Sequence, residues 1–216
     1  MSTTLILFPT ELEHRRFADH GGQDAAQEEV CGFGVAASAA RTMQLLLDRR
    51  PERVLLVGIA GAYDVSRYPV GSALAFSRVA IDGIGSGQGS GFQGPSRLGF
   101  PQWPGDPCTP AVGESLELSR AAAAGDGLLL TTCAASDSPA QAQERLARHP
   151  DAVAEDMEGF GVALACALAG VPLAIVRGVS NLVGDRDPRS WRIPAALAAA
   201  RRRALEVLAD SEWTLP

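Results

Sequence analysis

The sequence predicts an α/β fold in which a mainly parallel sheet is wrapped by helices, and three observations lead there. Short apolar runs alternate with segments of helical spacing. Apolar runs after the first close on glycine, alanine or serine, small residues that let a loop at a strand end approach a ligand closely. No internal repeat or linker interrupts the 216 residues, so the chain reads as one domain over 1–216 with room for a real core.

Taken in order, Thr4 to Phe8 reads as a strand that closes on Pro9 and Thr10. A helix follows over Glu11 to Phe17, with Leu12, Arg16 and Phe17 at helical spacing. Thr10 with Glu13 three places on is a capping-box pattern; equally, Glu13 sits where its carboxylate can face a pocket at the mouth of the first strand. The glycines of Cys31-Gly32-Phe33-Gly34-Val35 mark a loop turning into an alanine-rich helix over Ala36 to Leu47. That pair lacks the third glycine and downstream acid of a dinucleotide site, and no Gly-Lys-Ser/Thr follows, so neither NAD nor a P-loop is read here. Val54 to Tyr63 is a buried strand whose small tip, including Ala60 and Gly61, can read the edge of a planar ligand by its backbone. A further strand is expected over Ser72 to Val79.

From Gly83 to Gly113 the chain is rich in glycine and proline, with Phe92, Phe100 and Trp103 interspersed. Regular structure is not expected there, and the aromatics favour a lid over a linker. Gly127 to Ser136 reads as a strand with a small-residue tip, and Ser138-Pro139 opens a helix through Arg148. The stretch Ala154-Glu155-Asp156-Met157-Glu158-Gly159 then brings acids directly before an apolar helix that begins near Met157 and stops at Gly170. Taken alone, Asp156 and Glu158 need only complement the positive end of that helix. Val171 to Asn181 follows as an apolar strand delivering Ser180 and Asn181 at its carboxyl end, the side on which open α/β sheets build pockets. A last helix runs from about Pro194 to Leu208.

Composition narrows the possible partners. Hydrophobic residues make up 46% and charged residues 20%, a globular balance, and the net charge is −6. The longest basic run, Arg201-Arg202-Arg203, reads as the solvated face of the last helix, so no nucleic-acid partner is expected. Cys31, Cys108, Cys133 and Cys166 form no CxxC, and His14, His20 and His149 are isolated, which predicts reduced thiols and no metal site. With no charged leader and no apolar segment of spanning length, a soluble, unprocessed cytoplasmic protein with no membrane partner is expected.

Pro9-Thr10-Glu11-Leu12-Glu13, Gly58-Ile59-Ala60-Gly61-Ala62, Asp156-Met157-Glu158-Gly159 and Arg177-Gly178-Val179-Ser180-Asn181 together resemble the purine nucleoside phosphorylase and nucleosidase superfamily. Within it, Arg186-Asp187 with Trp191 point to the futalosine hydrolases of the alternative menaquinone pathway. The resemblance covers nearly the whole chain. It implies a central mixed sheet partly closed into a barrel and flanked by helices, no metal or other cofactor, a small-molecule nucleoside partner, and a homodimer or larger homo-oligomer. By the same resemblance Glu13 matches the acid that activates water, Glu158 the acid that grips the ribose 2′ and 3′ hydroxyls, and Asn181 the residue that recognises the base. Met157 would pack on the sugar, Ala60 and Gly61 would line the base by their backbone, and Trp191 would stand beside the 5′ substituent. Ala135 falls where relatives carry an aromatic, leaving base stacking to Phe92, Phe100 or Trp103.

The residues make chemical sense of that assignment. Breaking an N-glycosidic bond builds positive charge on the sugar and negative charge on the departing purine, so acceptors belong near the ribose and donors near the base. Methylthioadenosine/S-adenosylhomocysteine nucleosidases carry Asp where this chain has Asn181. An amide NH₂ can donate to O6 and N7 of hypoxanthine, so a 6-oxopurine leaving group is expected. An aromatic wall and a cation suit the carboxyphenyl ketone of futalosine, with Trp191 as the wall and Arg186 or Arg189 as the cation. The acids Glu11 and Glu13 in the first loop disfavour phosphate and favour water as the nucleophile. Against futalosine hydrolysis stand two alternatives: a methylthioadenosine/S-adenosylhomocysteine-type or other purine nucleosidase, and a silent nucleoside-binding protein on the same fold.

Overall fold

The computed structural model describes residues 3–18, 26–119, 125–210 and 213–215; His20 lies outside them. The chain enters through β1 (Thr4–Phe8), α1 (Glu11–Ala18), β2 (Ala26–Val30), α2 (Val35–Arg49) and β3 (Arg53–Ala62). It continues through β4 (Ala73–Ala75), β5 (Arg78–Asp82), α3 (Pro95–Leu98), β6 (Ser115–Glu117), β7 (Leu128–Thr132) and α4 (Pro139–Arg148). It ends with β8 (Ala152–Asp156), α5 (Gly159–Ala169), β9 (Leu173–Leu182) and α6 (Ile193–Ala209).

The strands form one mixed, mainly parallel sheet in the order β2-β1-β3-β8-β7-β5-β6, with β9 beside β3 and β4 beside β9. β3 is the branch point. Its first half pairs in parallel with β1, its whole length pairs in parallel with β9, and its tip, Gly61 and Ala62, pairs antiparallel with β8. A strand with neighbours on both edges and helices over it must be apolar throughout, which is why Val54 to Val57 are all buried. The same logic makes β9 an unbroken buried run from Leu173 to Asn181. Helices α2 and α5 pack together, and α6 lies on β9 and β3. Among the described residues no helix is long and apolar enough to cross a membrane.

Several boundaries differ from those expected. The strand anticipated over Ser72 to Val79 is two strands, because the chain leaves an antiparallel pairing with β9 at Ala75 and takes up a parallel pairing with β7 at Arg78. β2, with the sequence Ala-Gln-Glu-Glu-Val, carries no apolar periodicity; it is an edge strand whose Glu28 and Glu29 pair with His14, Arg41 and Arg49. β7 stops at Thr132, so residues 133–136 are loop. β8 is a strand the sequence did not lead one to expect; it runs through Asp156, so α5 begins at Gly159 and Met157-Glu158 form the connection. The Gly83 to Gly113 segment is irregular as expected apart from one 3-10 turn, the short α3 and two isolated bridges.

Gly161 in α5 meets α2 closely: a Cβ there would overlap the Val35 carbonyl oxygen and come within 2.7 Å of Ser38 Oγ. Glycine to alanine inside a helix ordinarily gains about 1 kcal/mol of propensity. Here backbone stands in the way, and overpacking of about 1–3 kcal/mol wins. Gly161→Ala is therefore expected to lower the urea midpoint of unfolding, whereas a propensity-dominated site would raise it.

Candidate active site

The carboxyl ends of β1, β3, β8 and β9 surround a cavity of about 390 Å³. Glu13, Ala60, Gly61, Ala135, Met157, Glu158, Asn181, Arg186 and Trp191 all line it. Residues far apart in sequence thus share one space, which is the arrangement the sequence reading required.

Glu13 reaches the cavity from the first turn of α1 and is buried. Its Oε2 accepts from Thr10 Oγ1 at 2.7 Å and its Oε1 from the Ile59 amide at 3.1 Å. The two readings of Glu13 combine: its own amide lies 3.4 Å from Thr10 Oγ1, a weak half of a capping box, while the carboxylate turns to β3 instead of closing the box. Gly58 makes room for this, since a Cβ there would lie 2.7 Å from Glu13 Oε1 and overlap Arg177 Nη1.

Glu158 caps α5 without a side-chain capping bond. Its Oε1 instead accepts from the Gly34 amide at 3.0 Å, and its Oε2 stands 3.5 Å from Arg177 Nη2. Burial raises its pKa to about 7; Arg177 opposes that shift and Asp156 adds to it. Asp156 is no idle helix-dipole acid. Its Oδ2 accepts from Arg177 Nη2 at 2.5 Å, Arg177 Nε at 3.1 Å and the Gly159 amide at 2.9 Å, while Oδ1 accepts from Thr131 Oγ1 at 2.6 Å. Arg177 is fully buried, and although burial works against its charge, Asp156, Glu158 and Glu13 hold its pKa above the usual value. The signal for this cluster was an arginine inside an apolar strand, which demands a buried acid.

Asn181 has a fixed orientation. Its Oδ1 accepts from Ser180 Oγ at 2.7 Å, and the atom 2.8 Å from the Leu182 carbonyl oxygen must be the donor Nδ2. That NH₂ lies over Gly61, 3.3 Å from where a Cβ would stand. Trp191 donates from Nε1 to the Asp185 carbonyl at 3.1 Å, with the Arg186 guanidinium 5.0 Å from its ring centre. Arg189, the other candidate cation, is bound to Asp187 at 2.8 Å, is 90% exposed, and is not part of the lining.

The three aromatics considered for base stacking do not line the cavity. Trp103 packs on the core, Arg148 lies over Phe92, and Phe100 is exposed. They belong to a segment folded elsewhere, so a lid over this site is not what they form. The aromatic at the mouth is Phe33, 66% exposed between two glycines of positive φ, with Leu12 nearby in the lining. A single aromatic between two loop glycines carries no sequence pattern that marks it as part of a site. Glu155 and Ser136 also line the cavity unannounced.

A family model described as the phosphorylase superfamily matches residues 22–211. The chain belongs to that superfamily. It is 37% identical over 195 residues to a futalosine hydrolase of Streptomyces coelicolor, covering 88% of this chain and 81% of that protein. It is 33% identical over 226 residues to a futalosine hydrolase of Thermus thermophilus, covering 95% of each. A methylthioadenosine/S-adenosylhomocysteine nucleosidase of Colwellia psychrerythraea, solved in complex with adenine, has the same fold at a TM-score of 0.78 and 18% identity, over 100% of this chain and 97% of that one. The relatives are hydrolases of N-glycosidic bonds, and this chain is a nucleosidase.

The raised pKa of Glu158 has a defined consequence for folding. A carboxyl whose folded pKa, about 7, exceeds its usual 4.5 binds its proton more tightly in the folded state, so stability falls as pH rises through that window. Glu158→Gln removes this dependence. Thermal unfolding should show the variant gaining on the parent protein between pH 4.5 and 7 and by a constant margin above; a pH-independent difference would contradict the assignment.

Proposed function

We propose that the chain hydrolyses futalosine, releasing hypoxanthine and leaving dehypoxanthine futalosine. The observation that carries this reading is the convergence on one cavity of Glu13, Glu158 and an Asn181 whose NH₂ is held toward Gly61. Ribose sits between the two acids, with Met157 against it. Glu158 accepts from the 2′ and 3′ hydroxyls, which orients the ring and stabilises positive charge as the C1′–N9 bond lengthens. Both electrons of that bond pass to the purine, which leaves as its anion and takes a proton from water to become hypoxanthine. Glu13 takes a proton from the water whose oxygen bonds to C1′, help typically worth about 10²–10⁴-fold. Asn181 donates to the O6 and N7 side of the base over Ala60, Gly61 and Ala135, and its neutral amide suits an acceptor edge.

The 5′ end of futalosine carries an aromatic carboxylate, matched by Trp191 and by Arg186 at the exposed end of the cavity. Water as nucleophile is supported by the charges around the ribose. Arg41 is bound to Glu29 and Gln44, Arg15 to a backbone carbonyl, and Arg177 to Asp156, so none of them is arranged to hold phosphate beside two carboxylates. The alternative, an adenosine-type nucleosidase, draws support from the shared fold with the Colwellia enzyme but needs a group at position 181 that can accept from a 6-amino group.

Purified protein incubated separately with futalosine, inosine and methylthioadenosine is expected to release base fastest from futalosine, and at the same rate with and without phosphate. Strict phosphate dependence, or preference for methylthioadenosine, would reject the reading. Glu13→Gln should lose at least about 10²-fold in turnover while still binding the nucleoside, and Arg186→Ala should raise KM for futalosine with kcat little changed. Because Glu158 acts as the ionised acceptor, kcat/KM should fall as pH drops through about 7.

A further inference from the structure

Asn181 is not the only polar side chain beside Gly61. In the sheet, Gly61 is the register partner of Asn181 on β9 and of Glu155 on β8. Residues directly opposed in neighbouring strands project to the same face, so Asn181, Gly61 and Glu155 form a row across the sheet. The middle member has no side chain, leaving a slot between an amide and a carboxylate whose Cα atoms stand roughly 10 Å apart, two strand spacings. All three line the cavity.

Glu155 is buried and richly supplied with donors. Its Oε2 accepts from Tyr63 Oη at 2.9 Å, Ser136 Oγ at 2.7 Å and Arg145 Nη1 at 2.9 Å; its Oε1 accepts from the Ser136 amide at 2.6 Å. Arg145 is braced in turn by Asp82 at 3.3 Å and by the Ala134 carbonyl at 2.8 Å. Burial and the Glu155 carboxylate push the Tyr63 hydroxyl well above its usual pKa, so it stays a donor. None of these groups takes part in the chemistry assigned to Glu13 and Glu158. Their joint effect is to consume the N–H of Ser136 at the wall of the base site and to leave carboxylate oxygen there.

We propose that Glu155 determines specificity for the base by reading N1: it withdraws the Ser136 amide and presents only an acceptor on the side of the slot opposite Asn181. The inference rests on the nucleosidase reading with a 6-oxopurine and adds the residue that enforces it. Hypoxanthine carries a proton on N1, which can be donated to Glu155 Oε1, while its O6/N7 edge accepts the one Asn181 N–H that the Leu182 carbonyl leaves free. Adenine has a bare N1, which would face a carboxylate oxygen, and a 6-amino group, which would face the NH₂ of Asn181. Both contacts set like against like, and a buried polar group left unpaired is refused strongly.

Glu155→Gln tests this, because an NH₂ placed where Oε1 was gives up the bond from the Ser136 amide, no longer accepts from N1–H and offers a donor to a bare N1. Base release is measured from futalosine and from its 6-amino analogue, together with inhibition by free hypoxanthine and free adenine. The parent protein is expected to favour the 6-oxo compound in both assays. In Glu155→Gln the ratio of kcat/KM values should fall about tenfold or more, with the ratio of inhibition constants moving the same way. Should that variant fail to fold, Glu155→Asp, which keeps the charge beside Arg145 but falls short of the Ser136 amide, should lose the same preference. An unchanged ratio in a folded variant, or equal losses on both substrates, would overturn the role of Glu155 and leave the 6-oxopurine reading standing. A parent protein that favours the 6-amino compound would overturn that reading itself.

Discussion

The buried contact between Arg177 and Asp156 holds the active end of this protein together. A fully buried guanidinium needs a countercharge, and Asp156 supplies it, accepting from Arg177 Nε and Nη2 while also taking the Gly159 amide and the Thr131 hydroxyl; Nη1 finds no hydrogen-bond partner among the described residues. Those four contacts join β7, β8, β9 and the start of α5. They fix where α5 begins, and hence where Glu158 stands, because Glu158 is the residue immediately before it. Removing one partner would leave the other charged and unpaired in the core, a loss larger than the pair itself contributes.

The second constraint is the branching of the sheet at the tip of β3. One strand that pairs with β1, β9 and β8 brings the ends of three others to a single point. Small residues at that tip are a geometric necessity: Gly58 admits Arg177 and Glu13, and Gly61 separates Asn181 from Glu155. The site is built largely on strand ends and on the residues immediately following them, with the first turn of α1 supplying Glu13. Such elements hold side chains more rigidly than free loops do, which suits a reaction that depends on placing acceptors and donors at opposite ends of one nucleoside.

Electrostatics inside the site is graded. Glu158 is buried far enough to approach neutrality near pH 7, yet Arg177 keeps it from rising further. Cys31 lies in the same cluster, and burial pushes its thiol up to about 12, so it contributes packing and not nucleophilicity. Around Glu155 the partners are different: Arg145, Tyr63 and Ser136 all supply hydrogen bonds to one carboxylate. Two buried acids thus have different hydrogen-bond partners within one cavity.

The sequence by itself determined much of the alternation of strands and helices, the small-residue strand tips and two acids that line the cavity, because apolar periodicity and residue chemistry are local properties. It marked Glu13, Glu158 and Asn181 through recognisable motifs. It did not mark β2, β6 or β8, or the break between β4 and β5, since an edge strand needs no apolar face, β8 is short and ends in acids, and a change of pairing partner leaves no trace in composition. Nor could it assign Phe92, Phe100 and Trp103, whose positions depend on how a long irregular segment folds back on the core. Only the tertiary structure decided that Asp156 serves Arg177, that Phe33 stands at the mouth, and that Glu155 faces Asn181 across a glycine. Those relations follow from strand register, and a register between β3, β8 and β9 exists only once segments about a hundred residues apart lie side by side.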